Sequence, residues 1–232
     1  MEKKLDKNSK IISEMFDSIA EKYDRMNHGM SLGVDKAWRR RFVRSLSARL
    51  APGAAVLDLA CGTGDLTKAM AKRGWQVTGL DISSEMMAVG KAKCAGLQPE
   101  PAFVLGSAEA IPFPDASFDV VTIAFGLRNF DHRAQCLQEI RRVLKPGGRL
   151  AVLEFAVPKN RLWRALYLFY FKHAMRLMGK AVGSADAYGY LVDSVLAFPR
   201  YEALTAEFLA AGFTRSGYQS YSGGIAVGYF AE

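Results

Sequence analysis

Residues 56–65 read Val56-Leu57-Asp58-Leu59-Ala60-Cys61-Gly62-Thr63-Gly64-Asp65. The apolar run predicts a buried β-strand, and the Gly-x-Gly that follows predicts a sharp turn into a helix. Glycine has no Cβ and tolerates a positive φ, so Gly62 and Gly64 let a ligand approach the backbone above the carboxyl end of the strand. We therefore expect a cofactor-binding turn at this point of the chain.

Two acids and a missing glycine narrow the class of cofactor. A dinucleotide fingerprint requires a third glycine beyond Asp65, and Thr67 stands at that position instead. A second strand-like run ends in Asp81, where a carboxylate can accept hydrogen bonds from both hydroxyls of a ribose. The combination with Asp58 resembles the S-adenosylmethionine (SAM) pocket of class I methyltransferases, in which the first acid lies near the methionine part and the second binds the ribose.

Two later segments support this resemblance. Residues 107–113 resemble the loop on the adenine side of that pocket, and residues 142–150 resemble the turn that enters its fifth strand. The four motifs occur in the required order over about a hundred residues, and each must fall at the end of its own strand for the site to assemble. The cofactor-binding residues that the resemblance implies are Asp58, Gly62, Thr63, Gly64, Asp81, Ser107 and Ala108.

Strand and helix signals alternate along the chain, as a doubly wound α/β sheet requires. Strands are predicted at 55–60, 76–81, 102–106, 118–123 and 148–154, and a Gly-rich pair at 214–221 and 225–230 closes the sheet. Ser83 or Ser84 can cap a helix that runs to about Cys94, and Asp131 can cap another. We expect a Rossmann-like sheet of seven strands with helices on both faces.

The chain is predicted to form one domain, because 232 residues of which 50% are hydrophobic can build a single sizeable core. Within it we expect a SAM-binding core at 51–156 and a C-terminal helix and strands at 201–232. Helical additions at 1–50 and 157–200 are expected to face the substrate. We expect the sheet itself not to need the helices of the N-terminal addition.

The cysteines and the hydropathy of the chain indicate the cellular compartment of the protein. The three cysteines, Cys61, Cys94 and Cys136, show neither a C-x-x-C pair nor metal-ligand spacing and are predicted to be reduced thiols. The chain begins without a signal-peptide core, and no segment approaches the ~18 to 20 apolar residues of a membrane span. We expect a cytoplasmic protein.

The net charge of +8 is unevenly distributed. From Phe155 to Ala185 there is no acid, and residues 162–171 are mainly apolar or aromatic. The basic residues of this segment are Lys159, Arg161, Arg164, Lys172, Arg176 and Lys180. Three interpretations of this segment are open. It is a buried helix whose cations reach water, an element that contacts anionic lipid or surrounds an apolar substrate, or a patch that binds nucleic acid. The nucleic-acid patch has no accompanying binding motif, so we expect no nucleic-acid partner. From the second interpretation we expect a peripheral association with the inner face of the membrane.

Three further segments resemble one particular family of methyltransferases. They are residues 16–27 with Ser31-Leu32-Gly33 and Trp38-Arg39, then Ala124-Phe125-Gly126-Leu127-Arg128-Asn129-Phe130, and finally residues 153–155 with Pro158, 188–194 and Phe198-Pro199. Together they resemble the UbiE/MenG family, the C-methyltransferases of menaquinone and ubiquinone biosynthesis, over about residues 16–224. Ala124 and Val192 depart from the family, in which serine and proline are common at these positions.

The resemblance implies SAM-dependent methylation of a ring carbon of a polyprenylated naphthoquinol, demethylmenaquinol to menaquinol. The alternatives are the benzoquinol intermediate of ubiquinone biosynthesis, a different small molecule or RNA as acceptor, and a SAM-binding scaffold without activity. We expect no metal, because the three histidines share no ligand spacing. A homodimer is left open.

Methylation of carbon requires an electron-rich ring, which an ionised quinol hydroxyl provides. A phenolic hydroxyl has a pKa of about 10, and a nearby cation lowers that pKa whereas a dry pocket raises it. Arg128 is the predicted cation, Asn129 is predicted to hydrogen-bond a quinol oxygen, and Tyr23 with Arg128 and a water is the predicted base. Asp24 and His28 are further candidates for the base. The alternatives are a structural ion pair for Arg128 and a packed ring for Tyr23.

Overall fold

A computed structural model describes residues 8–181 and 185–232 of the chain. Its centre is a sheet of seven strands, as predicted, and their order in the sheet is β3-β2-β1-β4-β5-β7-β6. The strands are β1 Ala55–Leu59, β2 Gln76–Asp81, β3 Ala102–Leu105, β4 Phe118–Ala124, β5 Leu144–Phe155, β6 Ser216–Tyr221 and β7 Ala226–Ala231. Strand β7 runs antiparallel to both of its neighbours, and the other adjacent strands pair in parallel.

The strand order reverses between β1 and β4, because β2 and β3 lie on one side of β1 and β4 and β5 lie on the other. The loops that leave β1 and β4 therefore diverge and open a crevice at the carboxyl ends of these strands. The residues around Gly62 follow β1, and those around Arg128 follow β4. This topology brings the two most informative sequence motifs to the same edge of the sheet.

Helices cover both faces of the sheet, as expected. Helices α4 (Asp65–Ala71), α5 (Ser84–Cys94), α6 (Arg133–Val143) and α9 (Glu202–Ala210) lie between or after the strands. Strand residues alternate between two apolar clusters, because successive side chains of a strand point to opposite faces. One cluster joins the sheet to α6 and α9, and the other joins it to α4 and to a helix of the N-terminal segment.

The N-terminal segment forms α1 (Ser9–Asp17), α2 (Ala20–Met30) and α3 (Val34–Ser47). Helix α3 buries Trp38, Phe42, Val43 and Leu46 against the sheet. The expectation that the sheet does not need this segment is therefore wrong for α3, which supplies part of one core layer. Helices α1 and α2 instead contact α5 at the edge where the crevice opens.

Of three other predicted boundaries, one is confirmed and two differ. Ser83 caps α5 as predicted, and its side chain accepts a hydrogen bond from the backbone of Met86 at 3.1 Å. Asp131, by contrast, does not cap α6: His132 holds the N-cap position and makes no capping bond with its side chain. Strand β5 begins at Leu144 rather than Gly148, because Leu144 pairs with Phe118 before the register shifts at a bulge.

After β5 come α7 (Arg161–Ala181) and α8 (Ala185–Ala197), which pack on each other through Tyr167, Phe171, Tyr188, Val192 and Val195. Within the two described ranges, no helix combines the length and the apolarity needed to cross a bilayer. Two of the basic residues named above, Arg176 and Lys180, lie in α7. Their side chains fall outside the described part of the structure.

Candidate functional site

Two adjacent cavities open at the carboxyl ends of the strands. The larger has a volume of about 450 Å³ and is walled mainly by aromatic and aliphatic side chains. The smaller, of about 100 Å³, lies beside the turn after β1. Phe16, Tyr23 and Phe125 line both cavities and form their common boundary. A group held in one cavity can therefore meet a group held in the other at this boundary.

The smaller cavity contains four of the predicted cofactor-binding residues, Gly62, Asp81, Ser107 and Ala108. Gly62 has a φ of +52°, and its backbone N–H donates to Asp81 Oδ2 at 2.7 Å. The backbone N–H of Ser83 donates to Asp81 Oδ1 at 2.9 Å. Each carboxylate oxygen keeps further lone pairs for a ligand hydroxyl. The residues present thus fit a ribose-bearing cofactor, and burial raises the pKa of Asp81 above its ordinary value.

Asp58, Thr63 and Gly64, also predicted to bind the cofactor, are not brought into the wall of this cavity. Asp58 is buried beneath the turn, where Thr67 Oγ1 at 2.5 Å and Thr122 Oγ1 at 2.9 Å donate to its carboxylate. Burial raises the pKa of Asp58 to about 6. The carboxylate therefore ties α4 to β4, and its contact with the methionine part of a cofactor stays a prediction.

Arg128 lines the larger cavity and is 4% exposed. Its Nη1 lies 3.0 Å from Glu154 Oε1 and also donates to the carbonyl oxygen of Phe125. Glu154 is fully buried and has no other cationic partner among the described residues. The positive charge of Arg128 is thus balanced by a carboxylate, which matches the ion-pair alternative rather than an uncompensated cation. Its Nε remains without a hydrogen-bond partner despite its burial.

Asn129 and Tyr190 span the space between the two cavities. Asn129 lines the smaller cavity, Tyr190 lines the larger one, and the Tyr190 hydroxyl donates to Asn129 Oδ1 at 3.2 Å. The amide oxygen accepts this hydrogen bond, which orients the side chain, and the amide NH₂ is a donor for a ligand. Tyr190 and Glu154 both lie in segments that resemble the family, but the sequence predicted no role for either residue.

Tyr23 stands at the boundary of the two cavities, as a residue near a reacting group would. Its ring packs edge-on against Phe16 with 5.9 Å between centroids. This contact agrees with the packed-ring alternative, and the position at the boundary agrees with the catalytic one. The role of Tyr23 as part of the base stays a prediction.

Two aspartates hold α1 and α2 over the smaller cavity through hydrogen bonds and an ion pair. Asp17 Oδ1 accepts a hydrogen bond from Ser83 Oγ at 2.5 Å. Asp24 accepts one from Thr63 Oγ1 at 2.6 Å and pairs with Lys93 Nζ at 2.5 Å. The volume of the smaller cavity, about 100 Å³, lies below the range of about 300 to 1,000 Å³ that is usual for ligand pockets. These contacts hold α1 and α2 against the loops that carry Ser83 and Thr63.

His28, Asp35 and Asp65 bring their ligand atoms within 4.8 Å of one another. Arg39 contacts both carboxylates, and Lys93 Nζ lies 2.7 Å from Asp65 Oδ1. Burial acts to raise the pKa of Asp35, but a hydrogen bond from Ser31 and the charge of Arg39 outweigh it and keep the pKa low. The carboxylates are therefore already neutralised by cations, which characterises an ion-pair cluster. That no metal takes part in the reaction stays a prediction.

Comparisons with known proteins converge on one family. A family model described as the ubiE/COQ5 methyltransferase family matches residues 3–232. The ubiquinone/menaquinone biosynthesis C-methyltransferase UbiE of Geotalea uraniireducens is 42% identical over 99% of both chains. The demethylmenaquinone methyltransferase of Beutenbergia cavernae is 43% identical, and the match covers 95% of this chain and 90% of the relative.

Solved structures of lower identity share the fold. A SAM-dependent methyltransferase of Thermotoga maritima, a possible histamine N-methyltransferase, superposes with a TM-score of 0.64 at 17% identity, covering 94% of this chain and 98% of the other. Phosphoethanolamine N-methyltransferase 2 of Haemonchus contortus, solved in complex with SAM, gives a TM-score of 0.58 at 18% identity, covering 79% and 38%. The predicted class I methyltransferase fold is confirmed.

Proposed function

The chain belongs to the ubiE/COQ5 methyltransferase family, and we propose that it methylates a ring carbon of a polyprenylated quinol, with demethylmenaquinol as the leading acceptor. Dependence on SAM follows from the family and the fold, and relatives named for both quinone pathways support a quinol as the acceptor. The observation that carries the proposal is the pair of cavities that meet at Phe16, Tyr23 and Phe125. One is polar enough for a nucleoside, and the other is aromatic and large enough for a quinol ring.

SAM supplies a methyl group on a sulfonium, which is an electrophile. Gly62, Asp81, Ser107 and Ala108 would hold it, because they line the smaller cavity. Asp81 would accept hydrogen bonds from the ribose hydroxyls. Asp58, Thr63 and Gly64 contribute by shaping the turn, since Asp58 and Thr63 are engaged by hydrogen bonds to neighbouring elements.

Arg128 and Asn129 orient the acceptor. Arg128 lines the larger cavity, and its buried Nε–H has no hydrogen-bond partner, so a quinol oxygen that came within reach would satisfy it. The amide NH₂ of Asn129, directed by the Tyr190 hydroxyl, is a second donor. Because Glu154 balances the charge of Arg128, the arginine acts mainly by hydrogen bonding and by its local dipole. Tyr23 and a water near Arg128 remain the proposed route for the proton.

The apolar surroundings favour the transfer step. Phe125, Phe155 and Tyr190 line the larger cavity and exclude water from a bound ring. A phenolate and a sulfonium neutralise each other as the methyl moves, so a dry site assists the reaction. We propose that the N-terminal segment 1–50 and the segment 157–200 cover this site. The quinol would reach it through a peripheral contact with the inner membrane face.

The test is a product analysis with purified protein, labelled SAM and short-chain acceptors. We expect the label on the ring carbon of demethylmenaquinol, located by mass spectrometry, and a smaller kcat/KM for the demethylated benzoquinol. Arg128→Leu should bind SAM normally but lose turnover. A higher kcat/KM for the benzoquinol would move the enzyme to the ubiquinone branch. Label on a hydroxyl oxygen or in RNA only would refute the proposal.

A further inference from the structure

The mouth of the larger cavity is rimmed by apolar side chains that also face solvent. Two belong to the N-terminal segment, Leu32 with 86% exposure and Val34 with 40%. Three belong to α7, namely Trp163, Leu166 and Tyr170, with 40%, 57% and 41% exposure. A monomer in water seldom leaves such a contiguous apolar rim uncovered. The rim therefore points to an apolar occupant at the mouth of the cavity.

Helix α7 extends this apolar surface away from the mouth. Leu162 is 75% exposed and Phe169 is 68% exposed. At about 100° per residue, Leu162, Trp163, Leu166, Phe169 and Tyr170 fall within an arc of about 120° on one face of the helix. A different side of the helix, carrying Tyr167 and Phe171, is buried against α8. Helix α7 thus has two apolar faces, and among the described residues only one of them is covered.

The charges beside the exposed face have one sign. Arg161, Arg164 and Lys172 are exposed, and none of them forms an ion pair within the described residues. No acid occurs from Phe155 to Ala185. Arg161 and Lys172 lie next to the exposed apolar arc on the helix circumference. An apolar face flanked by unpaired cations is complementary to the boundary between the acyl chains and the headgroups of an anionic bilayer.

Leu32 completes the rim from the opposite side. It lies between α2 and α3 with a φ of +51°, a left-handed conformation that is unfavourable for a residue with a Cβ. The Nε1–H of Trp163 donates to the Ser222 carbonyl oxygen at 3.3 Å, which anchors the other side. The rim is thus built on two separate elements, both of which line the cavity.

We propose that this mouth is a lipid-docking port. Helix α7 lies along the surface of an anionic bilayer with Leu162 and Phe169 inserted, and Leu32 inserts across the opening. A quinol ring enters the cavity between them while its prenyl tail stays in the acyl region. The inference rests on the proposed function for the identity of the acceptor, but not for the binding of the bilayer itself.

The experiment measures binding of the full chain to vesicles of phosphatidylcholine with and without phosphatidylglycerol. We expect binding to the anionic vesicles, about tenfold or more weaker for the double variant Leu162→Ser/Phe169→Ser. Leu209→Ser on α9, which removes an exposed leucine outside the mouth, is the matched control and should bind like the parent. Arg161→Gln/Lys172→Gln should weaken binding more than Lys72→Gln/Lys91→Gln, and added salt should reduce the difference.

Turnover separates this proposal from the proposed function. The double variant should keep the parent kcat with a short-chain acceptor in solution and lose kcat/KM with a long-chain acceptor in vesicles. Vesicle binding without methylation of any quinol would refute the proposed function and leave the port standing. No vesicle binding by the parent, or equal binding by the parent and the double variant, would overturn the port. A dimer that the double variant converts to monomers, without vesicle binding, would assign the face to a second copy.

Discussion

Glu154 is the residue that sets the electrostatics of the larger cavity. It is fully buried, and besides Arg128 Nη1 it accepts the backbone N–H groups of Arg128 at 3.3 Å and Phe155 at 2.9 Å. Three donors, one of them a guanidinium, thus converge on this side chain. The pair presents little net charge to a bound quinol, although Arg128 alone would present a full positive charge.

Replacing Glu154 by Gln tests this balance. The variant leaves Arg128 uncompensated beside the cavity, so the pKa of a bound quinol hydroxyl should fall and the pH profile of kcat should shift to lower pH. Loss of a buried partner should also lower the free energy of unfolding by about 3 to 5 kcal/mol. Glu139→Gln, which removes the partner of Arg142 on α6, is the control. A kcat profile that superimposes on that of the parent would show that the charge of Arg128 does not reach the acceptor.

Asp58 gives a second prediction at this scale, through the pH dependence of stability. Its pKa is raised to about 6 in the folded protein against 3.8 when unfolded. Between these values the unfolded chain loses its proton first, so the contribution of Asp58 is lost as pH rises from about 4 to about 6. A shift of about two units corresponds to about 3 kcal/mol. The stability of the parent relative to Asp58→Asn should fall by that amount, measured by urea unfolding at about pH 4 and pH 7. A relative stability that rises with pH contradicts this.

At the scale of elements, α1 and α2 are held in place mainly by polar contacts rather than by buried apolar side chains. Among the residues of α1 only Ile12 is buried, whereas Asp17 and Asp24 connect α1 and α2 to the loops after β2 and β1. Elements with few buried apolar contacts open at low free energy. These two helices are therefore the part of the wall best suited to open for cofactor exchange.

Asp24→Ala should loosen this cover. It removes the contact with Thr63 and the ion pair with Lys93, so we expect SAM to dissociate about 3- to 10-fold faster, the loss expected for one or two hydrogen bonds. Hydrogen exchange in α2 should accelerate in parallel. Glu21→Gln changes an exposed acid of the same helix that forms no ion pair within the described residues and should match the parent. An unchanged dissociation rate in Asp24→Ala would exclude α2 as the moving part.

At the scale of the whole molecule, one site is assembled from distant parts of the chain. The boundary between the cavities combines Phe16 and Tyr23 of the N-terminal helices with Phe125 after β4. Tyr190 joins from α8. A ligand that fills the smaller cavity therefore contacts several elements at once and should stabilise all of them together.

Binding of SAM should raise the thermal stability of the whole chain. At a concentration a hundred times Kd, the gain is about 2.7 kcal/mol, or about 5 to 11 °C in Tm for a chain of this size. Scanning fluorimetry with and without SAM measures the shift. Gly62→Val forces a β-branched residue to a φ of +52° at the cofactor turn and should abolish it. A shift of equal size in that variant would remove the turn from the binding site.

Much of the architecture could be predicted because it depends on short-range patterns. Apolar runs predict buried strands, a Gly-x-Gly predicts a turn, and alternating strands and helices predict a doubly wound α/β sheet. These rules located the seven strands and placed Gly62, Asp81 and Arg128 at strand ends. They failed for α3, whose pattern shows an amphipathic helix but not the face of the sheet that it covers.

The chemistry of the site depends on contacts that no local pattern contains. Glu154 balances Arg128 from 26 residues away, Tyr190 directs Asn129 from 61 residues away, and Thr122 holds Asp58 from 64 residues away. Whether an arginine is a free cation, or an aspartate faces a ligand, is set by burial and by partners brought together only when the chain folds. Residue types and strand order are thus readable in the sequence, whereas charge state and hydrogen-bond direction are properties of the packed molecule.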